Sequence, residues 1–256
     1  MKKSELKEFL DFKTAQYNTP AFIAEDPVSI PHLFQKKEDI EISGFLAATI
    51  AWGNRKSILK NANKMMKLMD HSPYDFILNH SDQDLERFEG FVHRTFNAND
   101  LKYFLKALRN IYLEHGGLED IFIKYQTETD LQNAIHELKK IFFELAHQIR
   151  TEKHVSDPLK NSAAKRINMY LRWMIRKDKH GVDFGIWETI PAAKLSCPLD
   201  VHSGNIARKL GILHRKANDA KAVKELDLEL RKMDPLDPVK YDFALFGLGV
   251  YEKDRF

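Results

Sequence analysis

The chain has 256 residues, a net charge of +3, 43% hydrophobic and 30% charged residues, and a single cysteine. That composition describes an ordinary soluble globular protein of one large or two small domains, at about 100–200 residues each. The lone Cys197 excludes an intramolecular disulfide, a cysteine-held iron–sulfur cluster and a four-cysteine zinc site.

Helical periodicity dominates. Leu6, Phe9, Leu10 and Tyr17 mark one face of a first helix, with Phe12 off that face. Pro20, Pro27 and Pro31 break the chain into an irregular segment. Ile42, Phe45, Leu46, Thr49 and Ile50 form the next stripe, closed by Trp52-Gly53-Asn54. A helix is expected from about Arg55, with Met65, Met66 and Met69 as core filling. The segment from Phe91 to Phe96 alternates weakly, without a matching partner strand. Another helix is expected from about Asn99, read as its cap, to His115, stopped by Gly116-Gly117. A long one spans Leu131 to Ile149, broken off by Asp157-Pro158. Further helices follow from about Ser162 to Arg176, after Asp200, through Val223 to Met233, and from Asp237-Pro238 to Gly249. The pattern predicts an all-α fold of roughly ten helices joined by short loops.

The charged start Met1-Lys2-Lys3-Ser4-Glu5 is not a signal-peptide core. No apolar run approaches the ~18 residues of a membrane-crossing helix. A cytoplasmic monomer without membrane contact is expected. No His-Glu-x-x-His spacing, phosphate-binding Gly-x-x-x-x-Gly-Lys-Ser/Thr loop or Gly-x-Ser-x-Gly elbow occurs, and no metal or other cofactor is expected.

Two residues stand in contexts suited to chemistry on DNA. Lys165 lies in Asn161-Ser162-Ala163-Ala164-Lys165-Arg166, near the start of an amphipathic helix; Asp200 follows Pro198-Leu199 and starts a helix that Gly211 stops. An amine nucleophile with a carboxylate beside it can attack the sugar carbon of a nucleotide. Around Lys165, from Asp157 to Lys179, seven basic residues stand against two acidic ones, a local excess of five positive charges. Such a strip can meet phosphates, or be a solvated helix face.

Three stretches resemble the helix-hairpin-helix DNA glycosylase superfamily. Phe45 to Asn54 is similar to its early core helix, which ends in a polar residue beside the lesion. Asp157 to Trp173 is similar to the hairpin carrying a lysine nucleophile, with Lys160-Asn161-Ser162 in place of the usual Gly-x-Gly turn. Leu199 to Gly211 is similar to the helix that begins with the catalytic aspartate. The interval from Lys165 to Asp200 resembles that of the archaeal 8-oxoguanine glycosylases. The chain as a whole, down to its tail from Asp237 to Gly249, resembles a family of uncharacterised bacterial proteins labelled domain of unknown function 2400.

The resemblance implies a two-lobed all-α fold with a cleft between the lobes. One lobe is a helical barrel over residues 38–177, including the hairpin-like segment; the other combines residues 1–37 and 178–256. It further implies a DNA base-excision glycosylase with lyase activity. Lys165 is the nucleophile and forms a Schiff base; Asp200 stabilises the sugar cation. The substrate is double-stranded DNA bearing an oxidised purine such as 8-oxoguanine. The plain alternatives are a solvated surface lysine and an aspartate that only caps a helix. Backbone N–H groups of Asn161, Ser162 and Ala163 are expected to hold a phosphate, with Arg166, Arg172 and Arg176 extending the contact where they face the cleft. His202 touches a phosphate or packs. Asp242 and Phe246, four apart on one helix face, are expected with Trp52 and Asn54 in the base pocket; the alternatives are core packing for Phe246 and Trp52, and for Asp242 a carboxylate at a helix start. A non-catalytic nucleic-acid binder on the same scaffold, and a helical interaction protein without a nucleic-acid role, are the rival readings.

Overall fold

A computed structural model of the protein describes residues 2–252, and helices make up nearly all of its regular structure. In chain order these are α1 (Lys3–Tyr17), α2 (Lys37–Thr49), α3 (Arg55–Leu68), α4 (Pro73–Asn79), α5 (Ala98–Glu114), α6 (Leu118–Tyr125), α7 (Gln132–Phe142), α8 (Lys165–Ile175), α9 (Val201–Lys209), α10 (Ala220–Met233) and α11 (Tyr241–Tyr251). Among the described residues no helix is long and apolar enough to cross a membrane.

The weakly alternating segment before α5 supplies its own partner. β1 (Val92–His93) pairs antiparallel with β2 (Phe96–Asn97) across a turn in which Arg94 adopts φ 55°. Two-residue strands leave little periodicity to read.

Two expected helix boundaries move for identifiable reasons. α5 is capped by Asn97, not Asn99: the Asn97 side chain accepts from the Asp100 N–H at 3.2 Å, and the Asp100 carboxylate accepts from the Asn97 N–H at 3.0 Å. The helix expected to continue to Ile149 ends at Phe142. There the Tyr103 hydroxyl donates to the Phe142 carbonyl at 2.7 Å, satisfying one of the orphan acceptors of a helix end. Leu145 and Ile149 are exposed beyond it.

The described residues pack as two compact units, residues 2–22 with 126–133 and 157–252, and residues 23–125 with 134–156. These units cut the chain at other points than the lobes drawn from the sequence. The segment from Asp157 through α8 packs with the C-terminal helices, and residues 23–37 pack with α2.

In the unit holding α2–α6, the core is largely aromatic. Phe142 lies 4.6 Å from Phe104 and 5.6 Å from Phe45, ring centre to ring centre, and Phe96 lies 5.1 Å from Phe104. α2 is buried at every residue from Ile40 to Thr49. α3 is one-sided, with Ile58, Ala62, Met65 and Met66 buried and Met69 buried just beyond its end, so the methionines do fill core.

In the other unit, α11 runs between α1 and α9. Two glycines permit this. A Cβ on Gly247 would stand 2.2 Å from the Tyr17 ring, and one on Gly249 would stand 2.9 Å from the His202 Cβ and carbonyl oxygen. Leu6 and Leu10 of α1, Ile206 and Ala207 of α9, Leu226 and Leu230 of α10, and Leu245 and Leu248 of α11 form the apolar cluster that holds these helices together.

Candidate active site

Lys165 is the first residue of α8, and an unusual turn delivers it there. Asn161 and Ala164 both adopt left-handed backbone conformations, at φ 65° and 45°. Asparagine tolerates that region; alanine does so at a cost of about 1–2 kcal/mol. The turn before Lys165 therefore uses two left-handed residues, neither of them glycine. Asn168, buried one turn into α8, donates to the Ala163 carbonyl at 3.0 Å and accepts from Gln132 at 3.3 Å. On the other side, Ser162 bridges Asp219, and the Ala220 N–H donates to the Asn161 carbonyl at 3.3 Å. The loop before Lys165 is thus pinned on both flanks.

Asp200 caps α9. Its Oδ1 accepts from the Ser203 N–H at 2.9 Å and the Ser203 hydroxyl at 3.1 Å, while that hydroxyl accepts from the Asp200 N–H at 3.0 Å. Asn218 donates to the Asp200 carbonyl at 2.9 Å. Because one oxygen serves the helix, the other is left for the site: Oδ2 stands 3.7 Å from Lys165 Nζ. The two side chains keep 28% and 21% of their surface open, enough for a ligand to reach both. At 3.7 Å the contact is ionic and not a hydrogen bond. A half-exposed pair of this kind contributes no more than about 1 kcal/mol to stability. Stability alone is therefore a weak reason for bringing together two groups 35 residues apart.

A buried ion-pair network stands beside this pair. Arg172 on α8 donates to Asp242 at 2.5 Å and to Asp183 at 3.1 Å. Arg176 donates to Asp183 at 3.0 Å, to Asp237 at 3.0 Å and to Asp178 at 2.6 Å. Both guanidinium groups are buried, and both lie against the Phe243 ring. Burial pushes the Asp242 carboxyl up to about 6 against the pull of Arg172; Asp200 adds repulsion and Lys165 opposes it. Asp242 is thus electrically coupled to the Lys165–Asp200 pair. Burial, with Asp242 and Asp227 adding to it, pushes the nearby Cys197 thiol well up, so this cysteine is no nucleophile at neutral pH.

The structure corrects several expectations. Arg172 and Arg176 face inward to carboxylates and do not extend a phosphate contact, and Lys177 pairs with Glu188 at 2.6 Å. The strip from Asp157 to Lys179 is therefore largely neutralised within the fold. The Asn161 N–H donates to the Pro158 carbonyl at 3.0 Å and the Ser162 N–H to the Asp157 carbonyl at 3.2 Å, so neither is left to hold a phosphate. Ala163 is half-buried in the same turn, and Arg166 is half-buried on α8. Burial draws Arg166 down to about 10, which leaves it charged at neutral pH.

His202 packs against α11, where its Nδ1–H donates to the Gly249 carbonyl at 3.3 Å and its ring meets the edge of Phe246. Phe246 is half-buried and also contacts Phe22. Trp52 and Asn54 belong to the unit of residues 23–125. There Asn54 caps α3 by accepting from the Ser57 N–H at 3.1 Å, and Trp52 stacks with His154 and meets the edge of His93. Sequence reasoning missed Asn168, Gln132 and Asn218, which are polar residues at unremarked positions; only their partners distinguish them.

No curated protein and no solved structure matches the chain. A family model does match, over residues 26–251, and the chain belongs to the family described as Protein of unknown function (DUF2400).

Proposed function

We propose that the protein is a DNA base-excision glycosylase with lyase activity, acting on an oxidised purine such as 8-oxoguanine in duplex DNA. The observation that supports this reading is the pairing of an accessible amine, Lys165, with a carboxylate, Asp200, at the starts of two helices. No cofactor is needed for the chemistry. Lys165 Nζ, once deprotonated, attacks C1′ of an extruded nucleotide; the bond from C1′ to the base nitrogen breaks, and the base leaves with the electron pair and takes up a proton. Loss of the second amine proton and opening of the sugar ring give an imine. Removal of a C2′ proton then expels the 3′ phosphate and nicks the strand, and water releases the lysine. Asp200 Oδ2 opposes the positive charge that develops on the sugar. Phe246 and His202 offer ring edges to the extruded base. Asp242, committed to Arg172, acts on the pair through its charge and not as a base contact.

Borohydride reduction tests this directly, because it freezes the imine as a covalent cross-link. Wild-type protein becomes attached to DNA carrying 8-oxoguanine or an abasic site, and Lys165→Ala abolishes the attachment. Asp200→Asn keeps the capping oxygen but loses the charge, and slows base release about 10²–10³-fold. Full trapping by Lys165→Ala would show that another amine is the nucleophile. No trapping by wild type on either substrate, with DNA binding intact, favours the non-catalytic binder.

A further inference from the structure

An unneutralised positive surface lies on α3. Lys56, Lys60, Lys64 and Lys67 recur at steps of four, four and three residues, which places them within about 80° of the helix circumference at 3.6 residues per turn. All four are exposed, and none takes part in an ion pair among the described residues. α3 contains no acidic residue to offset them. Lys64 lies over the Phe91 ring at 5.9 Å, a contact that leaves its charge in place. At the N-terminal end of the helix, exposed Arg94 lays its guanidinium over Gly53, where a Cβ would stand 2.8 Å from Nη1. Arg94 likewise makes no ion pair among the described residues. Like charges at i,i+4 destabilise a helix by about 0.2–0.5 kcal/mol per pair. The arrangement is costly to the isolated fold and favourable only against an external polyanion.

We propose that this lysine face of α3, with Arg94 at its head, is a docking surface for the phosphate backbone of duplex DNA. Lys56 and Lys67 are eleven steps apart, a rise of about 16 Å. A duplex presents one phosphate per about 3.4 Å of its axis on each strand, so the face matches a run of phosphates and not a single phosphoryl group. An anionic membrane is the poorer fit. Helices that lie on membranes insert an apolar face, and that of α3 is consumed by its own core: Ile58, Ala62, Met65 and Met66 are buried. The surface is independent of the chemistry at Lys165.

The test is fluorescence anisotropy on an undamaged labelled duplex across a salt series. Wild type binds at low salt, with affinity falling steeply as salt rises. The combined variant Lys56→Gln, Lys60→Gln, Lys64→Gln, Lys67→Gln flattens the slope of log affinity against log salt by about 3–4, near one per lysine. A control, Lys102→Gln, Lys106→Gln, Lys140→Gln, Lys232→Gln, removes equal charge from lysines already paired with Glu89, Asp82, Glu137 and Glu229, and changes the slope by less than about one. Both proteins are checked by circular dichroism. Equal losses in the two variants, a wild-type slope in the α3 variant, or no duplex binding by wild type overturns the proposal. So does stripe-dependent binding to phosphatidylserine vesicles together with stripe-independent DNA binding. Borohydride trapping is scored separately: its absence with a stripe-dependent slope removes the glycosylase reading and leaves this surface standing.

Discussion

α3 and α8 are both basic amphipathic helices, and the fold treats their charges in opposite ways. On α8, Arg172 is buried among carboxylates that arrive from positions 183 and 242. On α3, four lysines face outward with no acid near them in the helix. The chemistry of the side chains suits the difference. A planar guanidinium satisfies several acceptors at once and is weakly hydrated, whereas an ammonium is strongly hydrated and stays at the surface. Count of charge in a window is thus a poor guide to charge presented to a partner. The helix starts differ as well: α3 has a side-chain cap in Asn54, while α8 begins from a strained alanine.

The largest expected effect separates buried from exposed charge. Arg172→Met leaves Asp242 without its cation and costs about 3–5 kcal/mol in urea unfolding. Lys60→Met on α3 stays within about 0.5 kcal/mol. A cost below about 1 kcal/mol for the first would break the comparison, because the network would then be incidental to the fold.

The next effect is a slope with pH. Asp242 is raised to about 6 in the folded protein, chiefly by burial, so the native state holds its proton more tightly than the unfolded chain. Its contribution is fully present below the usual carboxylate range and is lost as pH rises through about 6, a decline on the order of 2–3 kcal/mol. Asp227, also raised to about 6 by burial, acts in the same direction. Asp242→Asn therefore flattens the stability profile between about pH 4 and 6, whatever it does to the absolute value. An unchanged slope in this variant would locate the titration elsewhere.

The smallest effects lie at the helix starts. Asn54→Ala on α3 loses about 1 kcal/mol with the cap. Ala164→Gly on α8 does the reverse: relief of the left-handed strain, about 1–2 kcal/mol, exceeds the buried methyl, about 0.8 kcal/mol. A gain of several tenths is expected by chemical denaturation. A loss above about 1 kcal/mol would mean that the packing of that methyl governs the turn.

Much of this was legible in the sequence where the signal is local. The start of α3, its methionine core and the capping role of Asp200 follow from periodicity and from a carboxylate at a helix start. The nearness of Lys165 and Asp200 was an expectation carried by pattern, and the structure brings them to 3.7 Å. What resisted reading is nonlocal. The partners of Arg172 and Arg176 lie up to 70 residues away, so a basic strip was expected where the fold makes a nearly neutral one. The left-handed backbone of Ala164 has no signature in residue type. The Val92–Asn97 hairpin is too short to show alternation against noise.

In water the two oxygens of a carboxylate are interchangeable. In Asp200 they are not. Rotation about Cβ–Cγ would exchange them, but it would also break the two contacts from Ser203 to Oδ1. While those contacts hold, the same oxygen faces Lys165, and the negative charge keeps a fixed bearing on the amine. The hydrogen bonds that begin a helix act here as a compass mount: the first turn of α9 sets the direction of a field, and the amine meets it without waiting for a side chain to turn.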